Sequence, residues 1–250
     1  MSGYRNFALA TLGLVAFLAL WEAAPRLNWV NPALLPGPTS LPKAFWKEVV
    51  SGEWLQAIYG SLGHYVEGLA TGVILGAIFG ILTGMYEVIE TLLSGVIRVL
   101  RPIPGLAWVP FAILWFGVGP SAAIFIIAIG VFWIVFFAAL GAVRGVDRDF
   151  IELANAFGYR SGWARLRKVL LPAATPGILT GVRTALGQAW MAVVAAELFG
   201  VSGIGQRMMQ ASSLLATDIV VVYMLTMAAL YALIDIAFMA FSGWLLRWKA

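Results

Sequence analysis

The sequence contains no cysteine and only one histidine, His64. Without cysteine the chain can form neither disulfide bonds nor a thiolate metal site, and a single histidine excludes a multi-histidine metal cluster. No stretch has the spacing Gly-x4-Gly-Lys-Ser/Thr, which cradles nucleotide phosphates. We therefore expect no metal site and no cofactor in this chain, so that any ATP would be bound by another subunit.

Charged residues are also scarce. They make up 11% of the 250 residues, against roughly 25% in a soluble domain, whereas 62% of the residues are hydrophobic. Apolar runs of about twenty residues recur, and many of the 11 tryptophans stand near their ends, as at a membrane interface. These features exclude an ordinary soluble domain and indicate a polytopic membrane protein. The net charge of +4 indicates no nucleic-acid partner, because the basic residues lie in short segments between the runs.

Six apolar runs are long enough to cross a bilayer. They are predicted at residues 7–24, 58–85, 92–116, 121–143, 173–199 and 219–243. Because backbone groups in hydrocarbon must bond internally, and these runs lack the alternation of a barrel, the spans must be helices. The prediction is an all-α fold of about six transmembrane helices, forming one domain over residues 1–250. The first run could be mistaken for a signal peptide, but we expect it to be retained.

Basic residues are distributed unequally between the two sides of these spans. With the N-terminus inside, the inner segments hold Arg5, Arg98, Arg101, Arg144, Arg148, Arg160, Arg165, Arg167, Lys168, Arg247 and Lys249. The outer segments hold Arg26, Lys43, Lys47 and Arg207, and Arg183 lies within a span. Since cytoplasmic loops carry the excess of Lys and Arg, both termini are predicted to be cytoplasmic.

Two outer segments are predicted. Residues 25–57 begin with five prolines between Pro25 and Pro42 and continue, from Leu41, as an amphipathic surface helix. In that helix the side chains expected on the membrane are Phe45, Trp46 and Val49, and those expected in water are Lys43, Lys47 and Glu48. Residues 200–218 are too apolar and irregular for a solvated loop, so they either re-enter the membrane or cover a dimer edge.

The inner segment 144–172 is the longest hydrophilic stretch. Its apolar residues recur at helical spacing and form one face of a short helix: Phe150, Leu153, Ala154 and Phe157. Gly158 stands where that helix would end. A second, basic helix is predicted from Ser161 to about Leu170, closed by Pro172.

This segment resembles the EAA loop of ABC importer permeases, in which a Glu-Ala-Ala triplet, a later glycine and a terminal Leu-Pro mark the docking site for the ATPase. The matching residues are Glu152, Leu153, Ala154, Gly158, Leu171 and Pro172. The resemblance implies a type I importer permease in which residues 144–172 form the coupling loop. The predicted docking residues also include Phe150, Phe157 and Tyr159. Glu152 would either pair with a basic residue of the ATPase or stabilise the first helical turn.

Further stretches resemble the nitrate, sulfonate, taurine and bicarbonate branch of these permeases. They are LLPGPTSLPKAF, RPIPGLAWVPFAILWFGVG, TGVRTALGQAWMAVVAAELF and GIGQ. The resemblance implies a permease subunit in a bacterial inner membrane, importing a small anionic solute. It also implies partners: two cytoplasmic ATPase subunits that bind ATP and Mg, a second permease copy, a periplasmic binding protein and membrane lipid.

Ionisable groups inside spans are costly and often functional. Arg183 begins a stripe in the fifth span whose members share one helix face: Arg183, Gly187, Trp190, Val194 and Glu197. The stripe is the predicted pathway lining, where Arg183 either meets an anion or pairs with Asp235. Pro104 is also included in the predicted pathway lining, because the prolines of the third span must kink or break its helix. The kink either serves as a gate or reflects packing alone.

Two other function classes compete with an importer permease. An ion-coupled secondary transporter would show inverted repeats with paired interrupted helices. A membrane enzyme would need a cluster of polar groups at one site. Neither pattern is visible in the sequence.

Overall fold

The computed structural model describes residues 2–159 and 161–249, so Arg160, one of the basic residues counted above, lies outside the described residues. The described chain is helical and contains no β-strand, which confirms the all-α prediction. The helices are α1 (Ser2–Arg26), α2 (Leu41–Val50), α3 (Glu53–Met85), α4 (Glu87–Leu100), α5 (Val109–Phe116), α6 (Pro120–Arg144), α7 (Arg148–Ala156), α8 (Gly162–Arg165), α9 (Leu171–Glu197), α10 (Ile204–Ser213) and α11 (Thr217–Leu245).

Helices α3 and α6 form the centre of the bundle and run parallel. Five glycines of α3 recur at every fourth residue, and their contacts advance along α6 in the same direction. The pairs are Gly68 with Ile127, Gly72 with Val131, Gly76 with Val135, Gly80 with Ala139 and Gly84 with Val143. A Cβ added at Gly72 would lie 2.7 Å from the carbonyl oxygen of Ala128, so the backbones leave no room for a side chain. We call this contact the glycine seam; such close packing drives helix association in membranes.

The parallel arrangement requires the intervening chain to return along the bundle. Residues 86–119 do so, because Glu90 pairs with Arg144 at the end of α6 whereas Trp108 packs on Phe125 near its start. Among the described residues, five single helices are long and apolar enough to cross a membrane, and the number is six if this bent returning segment is counted as one span. The prediction of about six transmembrane helices is therefore confirmed.

The returning segment is broken between α4 and the turn that leads into α5. The two parts differ in direction by 86°. Pro102 and Pro104 lie at the break, where their missing N–H groups prevent a continuous helical ladder. Pro104 is exposed, and the following Gly105 lies against Gly130 of α6. The third span is thus broken, as its prolines predict.

Helices α9 and α11 extend the bundle in antiparallel order. Gly177 of α9 lies against Ala142 of α6, and Gly181 lies against Ala138, so α9 runs opposite to α6. α11 in turn runs opposite to α9. We call the end that holds α2, α10 and the start of α3 the α10 end, and the end that holds α7, α8 and the finish of α3 the α7 end.

The chain from α8 into α9 is one continuous helical rod. Ser161 caps its start, and a π-helical turn, Leu166–Leu170, leads directly into α9. In that turn the N–H of Leu171 donates to the carbonyl of Leu166, five residues earlier. Because this wide turn accommodates a proline in the first turn of α9, the prediction that Pro172 ends the basic helix is wrong.

Candidate docking surface and translocation face

Helix α7 is delimited by two signals in its own sequence. Asp147 precedes it and accepts a hydrogen bond from the backbone N–H two residues later, at 3.1 Å, as an N-cap does. At the other end Gly158 adopts φ +85°. The N–H of Tyr159 donates to Ala154 at 2.9 Å, and the N–H of Gly158 donates to Asn155 at 3.2 Å. This is a Schellman motif, so the prediction that Gly158 ends the helix is confirmed.

The apolar side of α7 is open. Phe150, Leu153 and Phe157 expose 56%, 55% and 73% of their surface. Together with Trp248 of the C-terminal turn and the start of α9, they line a cavity of about 500 Å³. Ala154, the fourth member of the predicted face, is buried instead. Three large apolar side chains therefore stand exposed on a polar segment, which is typical of a surface that a partner covers.

The remaining predicted docking residues lie around this cavity. Tyr159 and Pro172 line it, and Leu171 is half-buried beside it at the start of α9. Glu152 is exposed on α7, and no ion pair to it occurs among the described residues.

The predicted translocation stripe of α9 points into the protomer over most of its length. Trp190 is buried and stacks on Tyr65 of α3, with ring centroids 4.8 Å apart. Glu197 is fully buried, Val194 is half-buried, and Gly187 faces a tyrosine ring of α11. The spacing correctly groups these residues on one face, but in this structure that face is mainly a packing seam.

Arg183, the first residue of the stripe, forms a bidentate ion pair with Asp235 of α11. Its Nε and Nη2 atoms donate to the two carboxylate oxygens at 2.8 and 2.9 Å. Arg183 lies about 20 Å from each end of α9, near the middle of a bilayer. Of the two interpretations that the sequence leaves open, the structure contains the pair with Asp235.

The outward face of α9 beside this pair is polar. Thr180, Thr184 and Gln188 follow one another at four-residue steps, and all three are exposed. We call these three residues, with Arg183 and Asp235, the polar patch. Because lipid offers no hydrogen bonds and penalises charge, such a surface at mid-bilayer must face water or another subunit. The three residues are not among the predicted pathway residues, although their four-residue spacing within an apolar run was a visible signal.

Glu197 anchors the start of α10. Its carboxylate accepts hydrogen bonds from Ser61 of α3 at 2.7 Å and from the N–H of Gly205 at 2.7 Å. The ring nitrogen Nδ1 of His64 lies 3.4 Å away. The buried carboxylate joins α3, α9 and α10.

A second buried carboxylate holds α10 from the other side. Glu48 of α2 is 1% exposed, and Nε and Nη2 of Arg207 each donate to it at 2.9 Å. The hydroxyl of Tyr223 donates to it at 2.8 Å. Burial alone would raise the pKa of Glu48, but the bonds from Arg207 and Tyr223 outweigh it and lower the pKa. The prediction that Glu48 faces water is wrong, because α2 packs against α10 and α11 on that side.

The fold and these sites define a helical membrane permease with a protruding helix at one end and a polar face at mid-bilayer. The chain belongs to the family described as the binding-protein-dependent transport system inner membrane component, whose model matches residues 72–249. It is 37% identical over 236 residues to SsuC of Escherichia coli (strain K12), a protein named for aliphatic sulfonates transport, covering 94% of this chain and 89% of SsuC.

Two further comparisons agree. The taurine transport system permease protein TauC of Escherichia coli (strain K12) is 30% identical, over 98% of this chain and 90% of TauC. A chain of the MetNI methionine ABC transporter in an inward-facing conformation matches with a TM-score of 0.66 at 21% identity, covering 75% of this chain and 94% of that chain. The latter likeness shows the fold. The protein is therefore the permease subunit of an ABC importer and not an enzyme, which confirms the family inferred from the sequence.

Proposed function

We propose that this chain lines the passage of an importer for a small anionic solute and that α7 docks onto a cytoplasmic ATPase subunit. The observation that carries the proposal is the exposed apolar trio Phe150, Leu153 and Phe157 on a short, capped helix. A helix of this kind fits the groove of a partner in the manner of other helix-in-groove contacts. ATP and Mg would be held by that partner.

The continuous rod from α8 through α9 supports this role. It comprises 36 residues, Gly162–Glu197, and follows α7 directly in the chain. Arg183 and Gln188 of the polar patch lie on the same rod, and Glu197 at its far end anchors α10. A tilt imposed at the α7 end would therefore reach both the polar patch and the α10 end, because packed helices move as rigid elements.

The charge distribution supports an inner-membrane orientation with the α7 end in the cytoplasm. The basic residues of this end include Arg144, Arg165, Arg167, Lys168 and Arg247. Fewer basic residues occupy the α10 end, and one of them, Arg207, is neutralised by Glu48. The excess favours the cytoplasmic side for the α7 end and, by extension, for both termini.

The polar patch supports pairing with a second copy of the chain across a passage. Two copies that bring Thr180, Thr184 and Gln188 face to face would enclose a hydrogen-bonding path through the bilayer. A periplasmic binding protein would deliver the solute at the α10 end. The relatives named for sulfonates and taurine favour a solute with a sulfonate group. This family membership favours the importer over the ion-coupled transporter considered above.

Replacing Phe157 with serine tests the docking assignment. We expect Phe157→Ser to fold, because the side chain is exposed, but to reduce the ATPase that co-purifies with the permease by about tenfold or more. Leu214→Ser is the matched control, since Leu214 is equally open at the α10 end. If both variants retain the ATPase equally, α7 is not the docking helix.

A further inference from the structure

The polar patch contains one positive and one negative side chain, and they neutralise each other. Arg183 exposes 50% of its side chain, whereas Asp235 exposes 19% and lies deeper between α9 and α11. Two of the five guanidinium N–H groups bond to Asp235, which leaves three directed away from that carboxylate. The arginine is thus both paired and partly accessible from the patch.

Arg183 is the strongest hydrogen-bond donor of the patch, because the neighbouring threonine hydroxyls already donate elsewhere. Thr180 and Thr184 each donate to a backbone carbonyl one turn earlier, at 2.9 and 3.1 Å. Their oxygens therefore offer acceptors to the patch rather than donors. The donors that remain for a passing oxyanion are the amide of Gln188 and the free N–H groups of Arg183.

An unpaired arginine at this depth would bind an anion too strongly for transport. Attraction between opposite charges is many times stronger in a low-dielectric site than in water. A solute that must cross has to be bound weakly enough to leave, as in any conducting pathway. Because the carboxylate of Asp235 is bonded to the guanidinium of Arg183, the solute meets a lower net positive charge.

We propose that Asp235 is the resident counter-ion of Arg183: it keeps the empty passage uncharged and competes with the anionic group of the solute for the guanidinium. Asp235 is thereby a specificity-determining residue, which admits an anion without trapping it. This inference rests on the proposed function, since it takes the polar patch as the passage lining and an anion as the solute.

The experiment uses the reconstituted complex of permease, ATPase and binding protein, with radiolabelled ethanesulfonate as the probe. In Asp235→Asn the guanidinium keeps its charge and loses its counter-ion. We expect the permease–ATPase complex of this variant to bind ethanesulfonate about tenfold more tightly than the wild type, without the binding protein, and to take it up at least fivefold more slowly. Glu22→Gln is the matched control, because it removes the carboxylate from another arginine pair, with Arg26, outside the patch.

The double variant Arg183→Gln/Asp235→Asn removes both charges together. It also tests the counter-ion role if Asp235→Asn alone does not assemble. It has no net charge, like the wild-type pair, but it lacks the guanidinium for which the solute and Asp235 compete, so it should bind ethanesulfonate at least threefold more weakly than the wild type. Wild-type affinity in Asp235→Asn, or wild-type affinity in the double variant, would overturn the counter-ion role and leave the importer intact. A wild-type complex that shows no ATP-dependent uptake would instead overturn the proposed function.

Discussion

At the scale of single residues, two buried carboxylates hold the α10 end together. Glu48 and Glu197 reach α10 from different helices, and each accepts several hydrogen bonds. Burying a charge without partners is costly, so each carboxylate depends on its donors as much as it fixes them. α10 is therefore positioned by polar contacts and not by apolar packing alone.

Replacing Glu48 with glutamine should destabilise the protein, because Arg207 then loses its charged partner. The loss should be about 2 kcal/mol, below the roughly 3–5 kcal/mol for a fully buried pair, because Arg207 keeps some water access. The melting temperature in detergent should fall by about 5 °C. Glu152→Gln is the control, because Glu152 is exposed on α7 at the other end of the protein, and its melting temperature should change by less than about 1 °C.

The same pair fixes the direction of the pH dependence. Because the pKa of Glu48 is lowered in the folded protein, its contribution is complete above the ordinary carboxyl pKa and is lost as the pH falls through the lowered value. The wild type should therefore lose more stability on acidification than Glu48→Gln does. Equal acid sensitivity of the two proteins would contradict the assignment.

Local signals in the sequence predicted some of these residues but not their partners. Gly158 was identified because a helix end needs a left-handed residue at a fixed offset. The bond between Ser61 and Glu197 joins residues 136 positions apart, and a single sequence carries no signal for that distance. Glu48 was wrongly predicted to face water, because amphipathic spacing cannot distinguish a helix side in water from one that packs on a polar partner such as Arg207.

At the scale of helices, the glycine seam decides how α3 and α6 pack. Gly76 has the carbonyl oxygen of Phe132 only 2.7 Å from where a Cβ would lie. Gly76→Leu should therefore separate the two helices and abolish the monodisperse peak in size-exclusion chromatography, since backbone atoms cannot yield as side chains do. Gly63→Leu is the control on the same helix, because nothing lies within 4 Å of its added Cβ. A normal elution profile for Gly76→Leu would contradict the seam.

The spans themselves could be predicted from hydropathy, because their length is set by the bilayer. Their packing order could not, since apolar residues face lipid and protein alike in a membrane. The four-residue repeat from Gly68 to Gly84 was a usable signal for the seam, but it names no partner helix. The predicted end of the basic helix at Pro172 was wrong because a π-helical turn leads through this position into α9.

At the scale of the whole molecule, the helical rod joins the three sites into one mechanism. α7 precedes the start of the rod, the polar patch lies at its middle, and Glu197 at its far end anchors α10. An ATPase that moves α7 would thus act on the passage and on the α10 end through one rigid element. This mechanism requires the α7 end and the α10 end to lie on opposite sides of the membrane.

The absence of cysteine allows that arrangement to be measured without background labelling. Leu214 at the α10 end and Trp163 at the α7 end are both exposed, so a cysteine at either position should be reactive. With a membrane-impermeant maleimide on intact spheroplasts, we expect Leu214→Cys to be labelled at once and Trp163→Cys only after permeabilisation. Lys47→Cys, on α2, should behave like Leu214→Cys, because Lys47 is exposed and Glu48 and Arg207 join α2 to α10. Labelling of Trp163→Cys in intact spheroplasts would instead place α7 outside the cytoplasm. No ATPase could then reach α7, because the nucleotide that drives the importer is cytoplasmic.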